Sequence, residues 1–182
     1  MNDIKTPDDV IAFWRKAGRD KWFNRDDAFD AAIRDIFLAT YEAAHAGKLN
    51  DWQDKPETAL ALAIVLDQFP RNMFRNDPRA WQSDPQARVV ARHALEQGFD
   101  QQVPADLRTF FYLPLMHSEK MDDQLQCVAL YEALGDENSL EYAKIHADII
   151  DRFGRFPHRN RFLGRETTAE EQAFLDAGGF AG

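Results

Sequence analysis

Three segments of the sequence contain residue types that can move protons or bind anions. The first, residues 66–75 (LDQFPRNMFR), places Asp67 directly after the most apolar stretch of the chain and near a helix C-terminus. Burial and the partly negative carbonyl end of a helix both disfavour a carboxylate, so we expect Asp67 to have a cationic or N–H partner. We favour the interpretation that Asp67 is a buried clamp that holds the turn after Pro70. A catalytic or binding carboxylate is the second interpretation, and an exposed Asp67 side chain is the third.

The second segment places an imidazole, a hydroxyl and a carboxylate at consecutive positions, His117, Ser118 and Glu119. General acid–base catalysis uses these groups, but it also needs a geometry that adjacency in sequence does not establish. We favour a structural role, in which Ser118 caps the following helix and Glu119 lies in its first turn, because capping alone accounts for both residue types.

The third segment, residues 152–165, carries five arginines and no acidic residue. The whole chain has a net charge of −9 and this segment has a charge of +5, so the rest of the chain has a net charge of −14. A guanidinium pairs bidentately with carboxylates and phosphates and keeps its charge when partly buried. We favour internal neutralisation or the capping of helix carbonyls. An anion or phosphate site is the second interpretation, and single-stranded nucleic acid is disfavoured because the rest of the molecule repels phosphate.

A fourth group of interest is the histidines. His146 shares a helix face with Tyr142 and Phe153, which predicts a ring that points into the core and is hydrogen-bonded there. Together with His117 and His158 it would make a metal site, but neither H-E-x-x-H nor a pair of histidines at i and i+4 is present. We therefore predict no metal and no cofactor.

The elements that must position these residues are helices. Apolar residues recur every three or four positions from about residue 26 to 46, and residues 59–66 are apolar all the way round, which predicts a helix at the centre of the fold. Gly18 and Pro70 are expected to end the first and third helices, and Gly135 and Gly154 to end two later ones. The sequence predicts an all-α fold of about eight antiparallel helices in a single domain, residues 1–182.

Composition narrows the class of protein. A chain of 182 residues can bury about 70% of its surface, which supports one sizeable core. The single cysteine, Cys127, excludes an internal disulfide and is predicted to be an unreactive core residue. The longest apolar run has eight residues, no secretory signal is visible, and a pI near 5.0 disfavours nucleic acid. We expect a soluble cytoplasmic protein that does not enter a membrane.

Several blocks of the sequence resemble one known family. Residues 66–72 (LDQFPRN), 112–119 (YLPLMHSE) and 152–160 (RFGRFPHRN) are similar, in this order, to the signature blocks of a bacterial family catalogued as domain of unknown function 924. Residues 13–14 and 163–171 are similar to it as well. The resemblance spans nearly the whole chain and implies a tetratricopeptide-like superhelix of antiparallel helix pairs. It implies no activity, because the family has no assigned reaction, and the catalytic residues stay unknown.

Two functional hypotheses follow, and the first is favoured. It is a protein- or peptide-interaction module, in which paired helices form a concave binding surface. The alternative is a binding protein or enzyme for an anionic small molecule, in which arginines hold the anion and a histidine or carboxylate moves a proton. A purely structural network of salt bridges is a third interpretation. We expect the arginine-rich segment to fold back onto Asp67. The candidate ligand-binding residues are Asp67, Arg71, Asn72, His117, Glu119, His146, Arg152, Arg155, His158 and Arg159.

Overall fold

The structure is a computed structural model that describes residues 3–180, and within this range all regular elements are helices. The α-helices are α1 (Pro7–Phe23), α2 (Asp27–His45), α3 (Pro56–Ala63), α4 (Phe69–Met73), α5 (Asp84–Glu96), α6 (Thr109–Met116), α7 (Met121–Leu134), α8 (Glu137–Phe153), α9 (Asn160–Leu163) and α10 (Ala169–Asp176). A π-helical turn, Ile64–Gln68, joins α3 and α4 into one continuous helix, so residues 3–180 form nine helices. The predicted all-α class is confirmed, and the predicted number of about eight is close.

Short 3-10 turns lie in four of the connections between helices. They are Asn50–Asp54, Pro78–Trp81, Phe99–Gln102, Ala105–Leu107 and Pro157–Arg159. In the part of the chain that the structure covers, no helix has the combination of length and low charge that a bilayer span requires.

The chain divides into two compact units, the first ending at Pro114 and the second beginning at Leu115. Each unit has its own buried side chains. The prediction of a single domain stays a prediction.

The first unit is built around the apolar helix that the sequence places at its centre. All eight side chains of residues 59–66 are at most 2% exposed, as expected for a helix with neighbours on every side. The Trp14 ring of α1 is fully buried, and its centroid lies 5.6 Å from that of Phe69 and 5.5 Å from that of Phe110. These aromatic contacts join α1 to the central helix and to α6.

One predicted helix end in the first unit is confirmed and one is wrong. At Gly18 the backbone leaves the helical region (φ 74°, ψ 172°), which ends the first helical segment as predicted, and a second segment continues from this kink to Phe23. At Pro70 the helix continues, because the preceding π-helical turn widens the backbone where the proline ring would collide with the turn before it. The Leu66 carbonyl, which Pro70 has no N–H to satisfy, instead accepts a hydrogen bond from the Ser83 hydroxyl (2.6 Å).

The second unit begins with a helical hairpin. α7 and α8 are connected by only two residues, Gly135 and Asp136, and they pack against each other. The chain after α8 then returns, and Phe153, Phe174 and Phe180 pack on a buried cluster. That cluster consists of Ile149, Ile150 and Phe156. The predicted ends of α7 and α8 are confirmed, with Gly135 and Gly154 in the left-handed region at φ 73° and 67°.

Candidate functional site

The first candidate, Asp67, lies in the π-helical turn and is fully buried. Its carboxylate oxygen Oδ1 is 3.4 Å from Arg71 Nη1, and its Oδ2 accepts a hydrogen bond from Gln68 Nε2 (2.7 Å). Arg71 Nη1 also donates to the backbone carbonyl of Asp67 (2.6 Å). The cationic partner that the sequence analysis requires for Asp67 is therefore Arg71, one helical turn further on.

Arg71 connects this turn to the start of α5. Its two terminal nitrogens donate to both carboxylate oxygens of Asp84, at 2.9 and 3.1 Å. Burial alone would lower the pKa of Arg71, but the nearby carboxylates of Asp67 and Asp84 outweigh that effect and raise its pKa. The guanidinium thus clamps the helix around Pro70 to α5.

Asn72, the residue directly after Arg71, has a similar role. Its Nδ2 donates to Asp30 Oδ1 (2.7 Å), and Asp30 also forms an ion pair with Arg75, whose Nη2 donates to the same oxygen at 3.0 Å. These contacts attach α4 to the beginning of α2. Asp67, Arg71 and Asn72 all take part in contacts that hold the first unit together.

In the second unit, the carboxylate of Glu119 is the centre of a separate set of contacts. It accepts two hydrogen bonds from Arg165 (Nη1 at 2.7 Å, Nη2 at 3.0 Å) and one from the Phe156 N–H (2.8 Å). Burial raises the pKa of Glu119, but the hydrogen bonds from Arg165 and Phe156 and the charges of Arg165 and Arg159 together lower it. Glu119 is therefore an ionised partner of Arg165.

The predicted capping role of Ser118 and Glu119 is wrong. α7 begins at Met121 with Lys120 as its N-cap residue, so Glu119 precedes the helix. The buried Ser118 hydroxyl donates instead to Asp123 Oδ2 (2.6 Å) inside the first turn of α7. The physical reason is that the long-range bidentate pair with Arg165 holds Glu119 in the preceding loop.

A second bidentate pair joins the arginine-rich segment to α10. Arg155 donates to Glu171 through Nε (2.6 Å) and Nη2 (2.8 Å), and Glu171 also accepts from Asn160 Nδ2 (3.2 Å) and the Thr168 N–H (2.8 Å). The hydrogen bond from Arg155 is the largest cause that lowers the pKa of Glu171, to about 2, even though burial raises it.

The side chains of three further candidates gather around the ring of Phe156. The Arg159 guanidinium carbon lies 4.5 Å from its centroid, and the rings of His146 and His158 lie 5.5 and 5.8 Å away. Arg159 Nη2 donates to the His117 carbonyl (3.1 Å). The core position predicted for His146 is confirmed, since the residue is buried and its Nδ1 donates a hydrogen bond to the Tyr142 carbonyl oxygen (2.8 Å), which can only accept one.

The last candidate, Arg152, lies at the surface. Its Nη1 is 3.6 Å from Asp148 Oδ2, and its guanidinium carbon lies 5.2 Å from the ring centroid of Phe174. The second unit thus brings together Glu119, His146, Arg155, His158 and Arg159, with the His117 carbonyl, through Phe156 and its neighbours. Asp67, Arg71 and Asn72 belong to the first unit, and a meeting of the arginine-rich segment with Asp67 stays a prediction.

Two residues that complete these contacts, Arg165 and Glu171, were not among the sequence-predicted candidates. In the sequence, Arg165 is one of five arginines of the third segment, and Glu171 follows Thr168 at the T-x-x-E spacing that is typical of a capping box. Glu171 fills both roles, because the same carboxylate accepts the Thr168 N–H and the Arg155 guanidinium. Because a buried carboxylate is rarely unpaired, the burial of Glu171 in the first turn of α10 indicates that a cation pairs with it.

Outside these contacts, the second unit contains an apolar groove of about 540 Å³. It is lined by Glu137, Leu140, Glu141, Lys144, Ile145, Asp148, Ile149, Phe174 and Phe180, and we call it the α8 groove. Ile149 is buried, whereas Ile145 is 39% exposed. The four charged side chains all belong to exposed residues of α8. The groove therefore has apolar walls and a charged rim.

A metal site and a reactive cysteine are the remaining kinds of chemistry that the residue types of the chain could supply. Among residues 3–180, no three His, Cys, Asp or Glu side chains are grouped so that they could hold a metal ion. Cys127 is a buried free thiol, and burial raises its pKa to about 12 although a hydrogen bond with the Met116 backbone opposes this. The thiol therefore stays protonated at neutral pH.

These features define an all-α protein with internally paired arginine clusters and an open apolar groove. The chain belongs to the family described as bacterial protein of unknown function (DUF924), whose model matches residues 10–179. It is also similar to a protein of unknown function from Agrobacterium tumefaciens, with 46% sequence identity and a TM-score of 0.91 over 94% of this chain and 97% of that chain. No curated protein shows significant similarity to this chain. The family resemblance found in the sequence is confirmed.

Proposed function

We propose that this protein is a protein- or peptide-interaction module and that the α8 groove is its binding site. The observation that carries the proposal is the groove itself, because an apolar surface that stays open to solvent is favourable to cover. The proposal includes a tetratricopeptide-like pairing of helices, of which the α7–α8 hairpin is one example. It also places the module in the cytoplasm, where a buried free thiol such as Cys127 persists.

The lining of the groove favours a macromolecular partner over a small molecule. Small-molecule sites combine an apolar surface with a few fixed polar groups that orient the ligand. The polar side chains of the α8 groove are instead long, charged and exposed at the rim, namely Glu137, Glu141, Lys144 and Asp148. An apolar centre with a polar, solvated rim is the usual arrangement of a protein–protein interface.

A selection from a library of random displayed peptides, followed by fluorescence anisotropy, tests this proposal. Replacement of Ile145 by glutamate (Ile145→Glu) places a charge in the groove. This variant is expected to bind the selected peptides with an affinity at least about tenfold lower. Leu125→Glu is the matched control, because Leu125 is an exposed leucine of α7 outside the groove. Equal binding to both variants, or a selection that recovers no peptide, would refute the proposal.

A second candidate function is the binding of an anionic small molecule. The observation that favours it is the gathering of Arg159, His146 and His158 around the Phe156 ring. A thermal-shift screen against phosphorylated metabolites tests it, because a ligand that binds the native state raises the Tm. Arg159→Ala is expected to abolish the shift, and Arg161→Ala, at an exposed position of the same segment, is expected to retain it.

A further inference from the structure

The α8 groove follows one face of a single helix for about three turns. Its α8 residues recur at intervals of three and four, from Glu137 to Ile149. At 1.5 Å per residue, these twelve steps span about 18 Å. Phe174 and Phe180, from the chain after α8, complete the lining. A binding segment of similar length has room for three apolar side chains in succession.

The walls of the groove decide what conformation the bound segment takes. An extended peptide gains affinity by pairing its backbone with an open sheet edge. The groove offers none, because its longest wall is α8, whose backbone groups are bonded within the helix. A segment that lies against such a wall must satisfy its own backbone donors and acceptors, which an α-helix does.

The charge at the rim of the α8 groove determines which charge the partner must carry. The three acidic residues and the one lysine of the rim have a net charge of −2. Asp148 is offset by Arg152, 3.6 Å away, whereas the ion pairs formed by residues 3–180 include neither Glu137 nor Glu141. The excess of negative charge therefore lies at the N-terminal end of α8. The chain as a whole carries −9, so an acidic partner is repelled at long range as well.

We propose that the α8 groove binds an amphipathic helix of about three turns, whose apolar face enters the groove and whose lysine or arginine side chains meet Glu137 and Glu141. This inference rests on the proposed function and adds the class of partner. Apolar contacts supply the affinity, while the acidic end selects a basic helix and sets its orientation along α8.

The test uses the full chain and four synthetic peptides labelled with fluorescein. The reference peptide, of about 14 residues, carries three leucines at helical spacing and lysines beside them. In the other peptides, glutamate replaces the lysines, serine replaces the leucines, or a central proline breaks the helix. Affinities are measured by fluorescence anisotropy at low and moderate salt, for the wild type and for Ile145→Glu.

The lysine peptide is expected to bind about five- to tenfold more tightly than the glutamate peptide at low salt, with a smaller ratio at moderate salt. The serine and proline peptides are expected to lose binding. Glu137→Gln combined with Glu141→Gln removes the preference for lysine. Glu96→Gln combined with Glu132→Gln is the matched control, since both residues are exposed glutamates outside the groove, and it retains the preference.

The two proposals fail in different ways. If the lysine and glutamate peptides bind equally, or if the proline peptide binds as well as the reference, the basic helix is refuted. If Ile145→Glu still lowers the affinity for these peptides, the groove binds peptides and the proposed function stands. If none of the peptides binds at about 1 mM, the inference is refuted, and the selection from the random library decides the proposed function. If the peptides bind but Ile145→Glu leaves their affinity unchanged, they do not occupy the groove, and both are refuted.

Discussion

Removal of the charge on Glu171 is the sharpest test of the contacts in the second unit. Glu171 is 2% exposed and accepts hydrogen bonds from Arg155, Asn160 and the Thr168 N–H. The variant Glu171→Gln keeps the size of the side chain but loses the charge. An exposed ion pair contributes up to about 1 kcal/mol, and loss of one partner of a buried pair costs about 3–5 kcal/mol. Because the Arg155 side chain is 28% exposed, we expect a loss of about 2 kcal/mol in the free energy of unfolding.

The pH dependence of that loss has a definite sign. The hydrogen bond and charge of Arg155, together with the hydrogen bonds from the Thr168 N–H and Asn160, lower the pKa of Glu171 from 4.5 to about 2 in the folded state, although burial opposes this. A lowered pKa adds stability above the unfolded pKa of 4.5, and that stability disappears as the pH falls towards 2. The difference between the wild type and Glu171→Gln is therefore expected to be largest at neutral pH and to fall to about half or less at pH 3.

The assay is urea denaturation followed by far-ultraviolet circular dichroism at both pH values, with thermal unfolding as a second measurement. A loss of about 2 kcal/mol corresponds to a decrease in Tm of about 4–8 °C for a chain of this length. The neighbouring Glu170→Gln is the control, because Glu170 is exposed, and its effect should stay within about 0.5 kcal/mol. Equal stability of the two variants, or a difference that is the same at pH 7 and pH 3, would refute the reasoning.

Two more predictions concern the first unit and the chain as a whole. Ser83→Ala is expected to lower the free energy of unfolding by about 1–3 kcal/mol, because the Leu66 carbonyl beside Pro70 loses its donor; an unchanged urea midpoint would contradict this. If residues 1–182 are a single cooperative domain, tryptophan fluorescence and circular dichroism should report the same unfolding transition. All four tryptophans precede residue 115, so a fluorescence transition separate from that of circular dichroism would show that the two units unfold independently.

Local sequence signals predict the helix boundaries well where the cause is itself local. Thr6 and Thr168 cap their helices through capping boxes, and Gly135 and Gly154 end theirs in the left-handed region. Each of these signals acts within one turn of the chain, so no knowledge of distant residues is needed.

The same kind of reasoning fails where a distant contact overrides the local preference. Pro70 does not end its helix, since a π-helical turn makes room for the ring and Ser83, 17 residues from Leu66, satisfies the freed carbonyl. Glu119 does not join the next helix, since Arg165 holds it in the loop. In both cases the deciding partner lies beyond the window in which propensities operate.

The sequence by itself determined the all-helical class, the central apolar helix, the family and the three blocks that contain the candidate residues. Only the tertiary structure decided which charges pair, because Glu119 and Arg165 are 46 residues apart and the choice among five arginines depends on distance and direction in space. The α8 groove likewise exists only after the chain beyond α8 returns and places Phe174 and Phe180 beside that helix. Helices follow from short-range periodicity and capping, whereas ion pairs and grooves follow from the packing of elements that are far apart in the chain.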